Sequence, residues 1–174
     1  RRYLKYKGYR VTQVTNITDV DDKTIRQSKA AGLDLRDYTT KFTDAYFEDI
    51  AALNIEKAEY YPRATENIDE MVALVKRLMR KGIAYQADGS VYFDISKFKK
   101  YGRLSGAKLS ELKAGARVDS DEYGKEEARD FVLWKGWRPE DGDVFWETPV
   151  GKGRPGWHIE CSAMSMKYLG TTFD

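Results

Sequence analysis

The sequence predicts an α/β chain. Three observations lead there. Within the first thirty residues a helix end, a β-branched run and a second helix start follow one another. Two later stretches repeat apolar residues at helical spacing, and two short strand-like runs flank an Asp-Gly pair.

The elements follow in order. Arg1-Arg2-Tyr3-Leu4-Lys5-Tyr6 reads as the tail of a helix, closed by a turn at Gly8. Tyr9 to Thr15 is a β-branched run that suits a strand. A helix is expected from about Val20, with Thr18 or Asp19 as its cap and acids in its first turn. Asp19, Asp21 and Asp22 complement that helix dipole; a magnesium site is the alternative use of the three. In sheets with this helix–strand–helix beat, ligands bind at the carboxyl ends of strands, and Thr18 stands at such an end.

Leu35, Tyr38, Phe42, Tyr46, Ile50 and Leu53 form one apolar stripe, and Ile68, Met71, Val72, Val75, Leu78 and Met79 a second, stopped by Lys81-Gly82. Both stripes read as core faces rather than cofactor boxes, and their close succession suggests an antiparallel pair. Ala84-Tyr85-Gln86-Ala87 and Ser90-Val91-Tyr92-Phe93 flank Asp88-Gly89, the chemistry of a type I′ hairpin. Residues 96–124 read as Lys-, Gly- and Ser-rich loop with at most a short helix. Asp130 to Trp134 reads as a buried strand, and 136–156 as loop with one strand near Val144–Trp146. No internal repeat is present.

The most telling stretch is Arg154-Pro155-Gly156-Trp157-His158-Ile159-Glu160-Cys161-Ser162-Ala163-Met164, which holds the only histidine and the only cysteine. Pro155 suits the first turn of a helix. On that helix Trp157, Cys161, Met164 and Tyr168 share a face, with the indole one turn before the thiol. A thiol near a positively polarised helix start is pushed toward thiolate, the form that binds metal or attacks carbon. The plainer use of a lone cysteine is as a small buried hydrophobe. His158 and Cys161 have a tempting spacing, yet zinc needs four ligands, or three and an open position, and no second Cys or His exists to complete a set.

Composition adds bounds. With 30 basic and 28 acidic residues the chain has no overall electrostatic footprint for nucleic acid. A single cysteine rules out an internal disulfide and fits a reducing compartment. The longest purely apolar run, Met71 to Val75, is far too short to span a bilayer. The length suits one compact domain or two small ones.

The stretch Gly156 to Met164 closely resembles a signature of cysteinyl-tRNA synthetases, and so does Asn16-Ile17-Thr18-Asp19-Val20-Asp21-Asp22-Lys23. Between them Pro62-Arg63-Ala64-Thr65, Ala114-Gly115-Ala116-Arg117-Val118 and Asp130-Phe131-Val132-Leu133-Trp134-Lys135 look like landmarks of the same family, in the same order. The resemblance implies part of a Rossmann-like class I catalytic fold interrupted by a connective insertion with helices and a β-hairpin. Residues 1–32 would be the first part of the catalytic fold, 33–152 the insertion, and 153–174 the return with a zinc-ligand helix. One histidine excludes an H-x-G-H motif and no Lys-Met-Ser-Lys-Ser occurs, so the chain reads as an internal piece of an enzyme, inactive and only marginally stable alone.

The same resemblance implies a cytoplasmic cysteine–tRNA ligase, expected to be a monomer, whose substrates are cysteine, ATP with magnesium, and tRNA. It implies one zinc held by two cysteines, a histidine and a glutamate. Cys161 matches one of these ligands, while the others would precede Arg1 or follow Asp174. His158 does not match a ligand. Thr18 and Trp157 match substrate contacts; a helix cap for Thr18 and a core aromatic for Trp157 are the plainer alternatives. No residue of this chain is expected to be catalytic. Thr15 departs from the basic residue many relatives carry there. Two rivals stand beside this reading. A cysteine ligase of mycothiol synthesis shares the signatures. A noncatalytic RNA- or partner-binding module would use the basic, aromatic runs Arg1 to Lys7 and Lys97-Phe98-Lys99-Lys100-Tyr101.

Overall fold

A computed structural model describes residues 1–103 and 130–174, which form two compact units. The Ala114 to Val118 landmark and most of the expected loop at 96–124 lie outside the described residues. The first unit comprises 1–67 and 161–174, and the second 68–160.

In the first unit, helix α1 (Arg2–Tyr6) ends in a turn at Gly8, whose φ of 87° suits glycine. Its basic side chains reach residues 54–59: Arg1 bonds the Lys57 carbonyl and Glu59, Arg2 the Asn54 carboxamide, and Lys5 the Glu56 carboxylate. The run expected as a strand over Tyr9–Thr15 is extended but forms no regular strand. Val14 makes one isolated parallel bridge, to Tyr60, and Ile17, just beyond the run, makes another, to Arg63. The shortfall has a physical cause. Strand pairing needs a partner edge, and here only a few backbone groups of 60–64 meet the segment.

Helix α2 (Asp22–Ala30) starts two residues later than expected. Asp21, not Thr18 or Asp19, is its cap, accepting from the Thr24 N–H at 2.6 Å while the Thr24 hydroxyl accepts from the Asp21 N–H at 2.8 Å. Helix α3 (Leu35–Ala52) packs against α2, and the Tyr38 hydroxyl donates to Gln27 Oε1 at 3.0 Å. The apolar stripe of α3 is not simply core. Ile50 is buried, but Phe42 and Leu53 are exposed. The buried face carries Thr39 and Thr43, whose hydroxyls donate to the carbonyls of Leu35 and Thr39, so their polar atoms need no outside partner.

The second unit contains helix α4 (Ile68–Arg80) and a sheet. Four of the expected stripe residues of α4, Ile68, Met71, Val72 and Val75, are buried, and α4 packs against β1. The helix that packs on α3 is therefore α2, whereas α4 belongs to the sheet unit. Strands β1 (Ala84–Ala87), β2 (Ser90–Phe93), β3 (Phe131–Gly136) and β4 (Gly153–Pro155) form an antiparallel sheet in that order. The β1–β2 turn is the expected one, with Asp88 at φ 49° and Gly89 at φ 77°.

Strand β3, flanked on both sides, is buried almost throughout, with Trp134 wholly inaccessible. Its entry residue Asp130 is also buried, and its carboxylate accepts from the Tyr85 hydroxyl at 2.9 Å and the Ile95 N–H at 3.1 Å. The strand expected near Val144–Trp146 reduces to one antiparallel bridge between Trp146 and Gly153. Pro155 closes β4 instead of opening a helix; α5 spans Trp157–Leu169.

Candidate functional site

The extended segment of the first unit faces a cavity of about 330 Å³. Thr15, Asn16, Ile17, Thr18 and Asp19 line one side, Thr24 and Gln27 of α2 another, and the α3 residues from Tyr38 to Tyr46 the rest. The part-exposed rings of α3 thus wall the cavity. The lining is hydroxyl-rich and aromatic, with Asp19 as its one acid. Tyr46 has its phenol pKa raised by burial and by the neighbouring Tyr61, so it stays a neutral hydrogen-bonding group at physiological pH.

Thr18 is half-buried on this wall. It does not cap α2, because Asp21 does. The Asn16 side-chain amide donates to Thr18 Oγ1 at 3.1 Å. A threonine hydroxyl has one proton to give, and with Asn16 filling an acceptor position that proton remains for another partner. Thr18 can therefore donate to a carboxylate or carbonyl oxygen in the cavity.

Asp19, next in the chain, is 3% exposed. Its carboxylate accepts from the Thr65 N–H at 3.0 Å and the Thr65 hydroxyl at 2.6 Å, with Arg63 Nη1 at 3.9 Å. The two landmark runs, Asn16 to Asp19 and Pro62 to Thr65, are therefore one structural piece. Backbone bonds add to it: Ile17 N–H to the Pro62 carbonyl at 2.8 Å and Ala64 N–H to the Ile17 carbonyl at 3.0 Å. Sequence reasoning missed the roles of Asn16 and Asp19. An Asx side chain two residues before a threonine was the available signal for Asn16; Asp19 gave none distinguishing it from its acidic neighbours.

Trp157 and Cys161 lie on α5, four residues apart, and both are exposed. Trp157 at 61% exposure is no core aromatic, and the Cys161 thiol is no buried hydrophobe. His158 also faces solvent, its ring 4.6 Å from Phe131 and 5.5 Å from the Trp157 indole. Among the described residues no group of three or more His, Cys, Asp or Glu side chains is placed to hold a metal ion. Cys161 is one accessible soft donor, and any ion it held would need its other ligands from outside the described residues.

Of the basic, aromatic runs offered for RNA, some side chains have partners within the chain, while Tyr3, Tyr6 and residues 97–100 are exposed. Arg1 and Lys5 are paired with Glu59 and Glu56, and the Phe98 and Tyr101 rings lie against Phe93. Among the described residues no helix is long and apolar enough to cross a membrane.

Helices and an extended segment around a cavity in one unit, and an antiparallel sheet in the other, make this an α/β chain. The family model for the class I (C) tRNA synthetase catalytic domain matches residues 1–174. The chain belongs to that family. It is 56% identical over 176 residues to a cysteine–tRNA ligase of Brachyspira hyodysenteriae, with all of this chain and 37% of that protein covered. Cysteine–tRNA ligases of Protochlamydia amoebophila and Pyrococcus horikoshii are 53% and 52% identical, again over the whole chain and over 37% and 36% of their own lengths. The chain thus spans a little over a third of the curated relatives it matches.

Proposed function

We propose that this chain is part of a cysteine–tRNA ligase, which activates cysteine with ATP and magnesium and transfers it to tRNA. The observation that carries the reading is the match along all 174 residues to ligases of that one specificity. Residues 1–32 and 153–174 are edges of the catalytic fold, and 33–152 is its connective insertion; this division follows family architecture, which the compactness of the two units does not decide. The protein works in the cytoplasm as a monomer.

In this reading Thr18 donates its hydroxyl proton to an oxygen of the amino acid, and the Trp157 indole covers the substrate. Cys161 supplies one thiolate to a zinc ion whose other ligands lie outside this chain. Zinc bound there supplies a borderline-soft acceptor for the substrate's own thiolate, which serine cannot match. Adenylate formation itself is positioning and charge stabilisation at the α-phosphate, and the groups for it lie outside these residues.

The test is cysteine-dependent ATP–pyrophosphate exchange by the full-length gene product, with serine as control. Exchange with cysteine alone, abolished in Cys161→Ala, supports the reading; transfer to tRNA rather than to an amino sugar then separates it from the mycothiol ligase. No exchange by a folded, zinc-loaded protein would sink it.

A further inference from the structure

The half-buried Thr18 is held from both sides. Before it, Ile17 is paired through its N–H to Pro62 and through its carbonyl to Ala64. After it, the buried Asp19 carboxylate takes both hydrogen-bond donors of Thr65, the hydroxyl at 2.6 Å and the N–H at 3.0 Å. Thr18 is the one residue between these anchors, and it lines the cavity. Asn16 then fixes the hydroxyl itself at 3.1 Å. Nothing about capping α2 requires Asp19, since Asp21 and Thr24 do that without it.

We propose that Asp19 is a positioning residue for amino-acid binding: through Thr65 it holds the Thr18 hydroxyl in the orientation that meets the substrate. The inference rests on the reading of Thr18 as a substrate contact. Charge-assisted bonds to a carboxylate are short and directional, so the Asp19–Thr65 pair fixes the backbone next to Thr18 more tightly than a neutral pair does. Releasing it lets the hydroxyl wander, and a binding group displaced by a fraction of an ångström loses much of its effect. Arg63, 3.9 Å from the same carboxylate, keeps Asp19 in a cationic neighbourhood when Thr65 is changed.

The experiment is ATP–pyrophosphate exchange by the full-length gene product carrying Thr65→Val, Thr65→Ser or Asp19→Asn. Thr65→Val removes only the hydroxyl and keeps the N–H bond. It should raise the KM for cysteine about tenfold or more, the loss of one charge-assisted bond's worth of alignment, with the KM for ATP nearly unchanged; the thermal midpoint falls as the buried Asp19 carboxylate loses a donor, so both KM values are read well below it. Thr65→Ser, which keeps the hydroxyl, should restore the cysteine KM. An unchanged cysteine KM in Thr65→Val overturns the proposal. So does a parallel rise in both KM values, or a Thr65→Ser variant as weak as Thr65→Val. Should Asp19→Asn not fold, the Thr65 pair decides alone. Thr18→Val separates the two levels. If it leaves the cysteine KM intact, Thr18 is no substrate contact and the underlying reading falls. If it weakens cysteine while Thr65→Val does not, only the positioning role falls.

Discussion

At the residue scale, backbone crowding is as informative as side chains. A Cβ at Gly153 would lie 2.0 Å from the Lys135 carbonyl oxygen and 2.9 Å from Trp134 Nε1. Neither is the far end of a flexible side chain, so β3 and β4 must part to admit it. Gly153→Ala should therefore cost about 3 kcal/mol, read as a lowered urea midpoint. Gly82 is the contrast. Its φ is 67° with nothing within 4 Å of a Cβ, so Gly82→Ala should cost only about 1 kcal/mol, the left-handed penalty alone. Gly82 is legible as a helix stop, whereas the crowding at Gly153 is not, because 136–156 reads simply as loop. The acids of Thr18 to Lys23 teach the same point. Propensity offered Thr18 or Asp19 as the cap of α2, and Asp21 takes that place instead. Thr65, 46 residues beyond Asp19, made the choice by occupying its carboxylate.

Elements whose determinants are local could be read directly. The hairpin needed only Asp88-Gly89, and α4 needed only its stripe and its stop at Gly82. The run at 9–15 could not be judged locally, because what it lacks is a long partner edge. Helix α1 yields a prediction of the same kind. Five residues are too few to be helical alone, so its attachment to residues 54–59 must hold it. The Glu56 carboxyl is held below its usual range by the hydrogen bond from Lys5, with Arg1 nearby. Glu59 is lowered by the Gln13 N–H, with Arg1 again nearby. A carboxylate with a depressed folded pKa contributes stability above its unfolded value, about 4.3, and loses it as pH falls through the lower folded value. Amide protection at residues 5–9 should thus decline below about pH 4.3, while β2 and β3 remain protected in hydrogen exchange. Equal loss in both places would show that α1 does not depend on these pairs.

Across the whole molecule, the two units differ in how they are filled. The sheet unit buries Met71, Val75, Val91, Tyr92, Val132 and Trp134 essentially completely. The first unit buries fewer large apolar side chains, and both units bury polar groups, Ser28, Thr39 and Thr43 in the first and Lys135, Arg154 and Glu160 in the second. Apolar burial stabilises by roughly 25 cal/mol per Å², so the sheet unit has the larger reserve. Native-state hydrogen exchange in low denaturant should find β2 and β3 opening last and α2 and α3 first. Slower exchange in α3 than in β3 would contradict this. The site was legible in part. Thr18, Trp157 and Cys161 were singled out by motif, and the structure places one on a cavity wall and two on an exposed helix face. The cavity itself was not foreseen, because its walls come from a stripe that local pattern assigns to core.

The pairing of the Asn16 to Asp19 run with Pro62 to Thr65 also sets a timetable for synthesis. A ribosome adds roughly 5–20 residues each second. The earlier run therefore emerges about 2–9 s before the segment that will satisfy its backbone groups and its aspartate. During that interval the nascent chain presents an unpaired extended edge and a carboxylate with no assigned partner. Translation slowed between the two runs would prolong this exposure, so codon choice over residues 20–60 would affect the yield of folded protein without changing one amino acid.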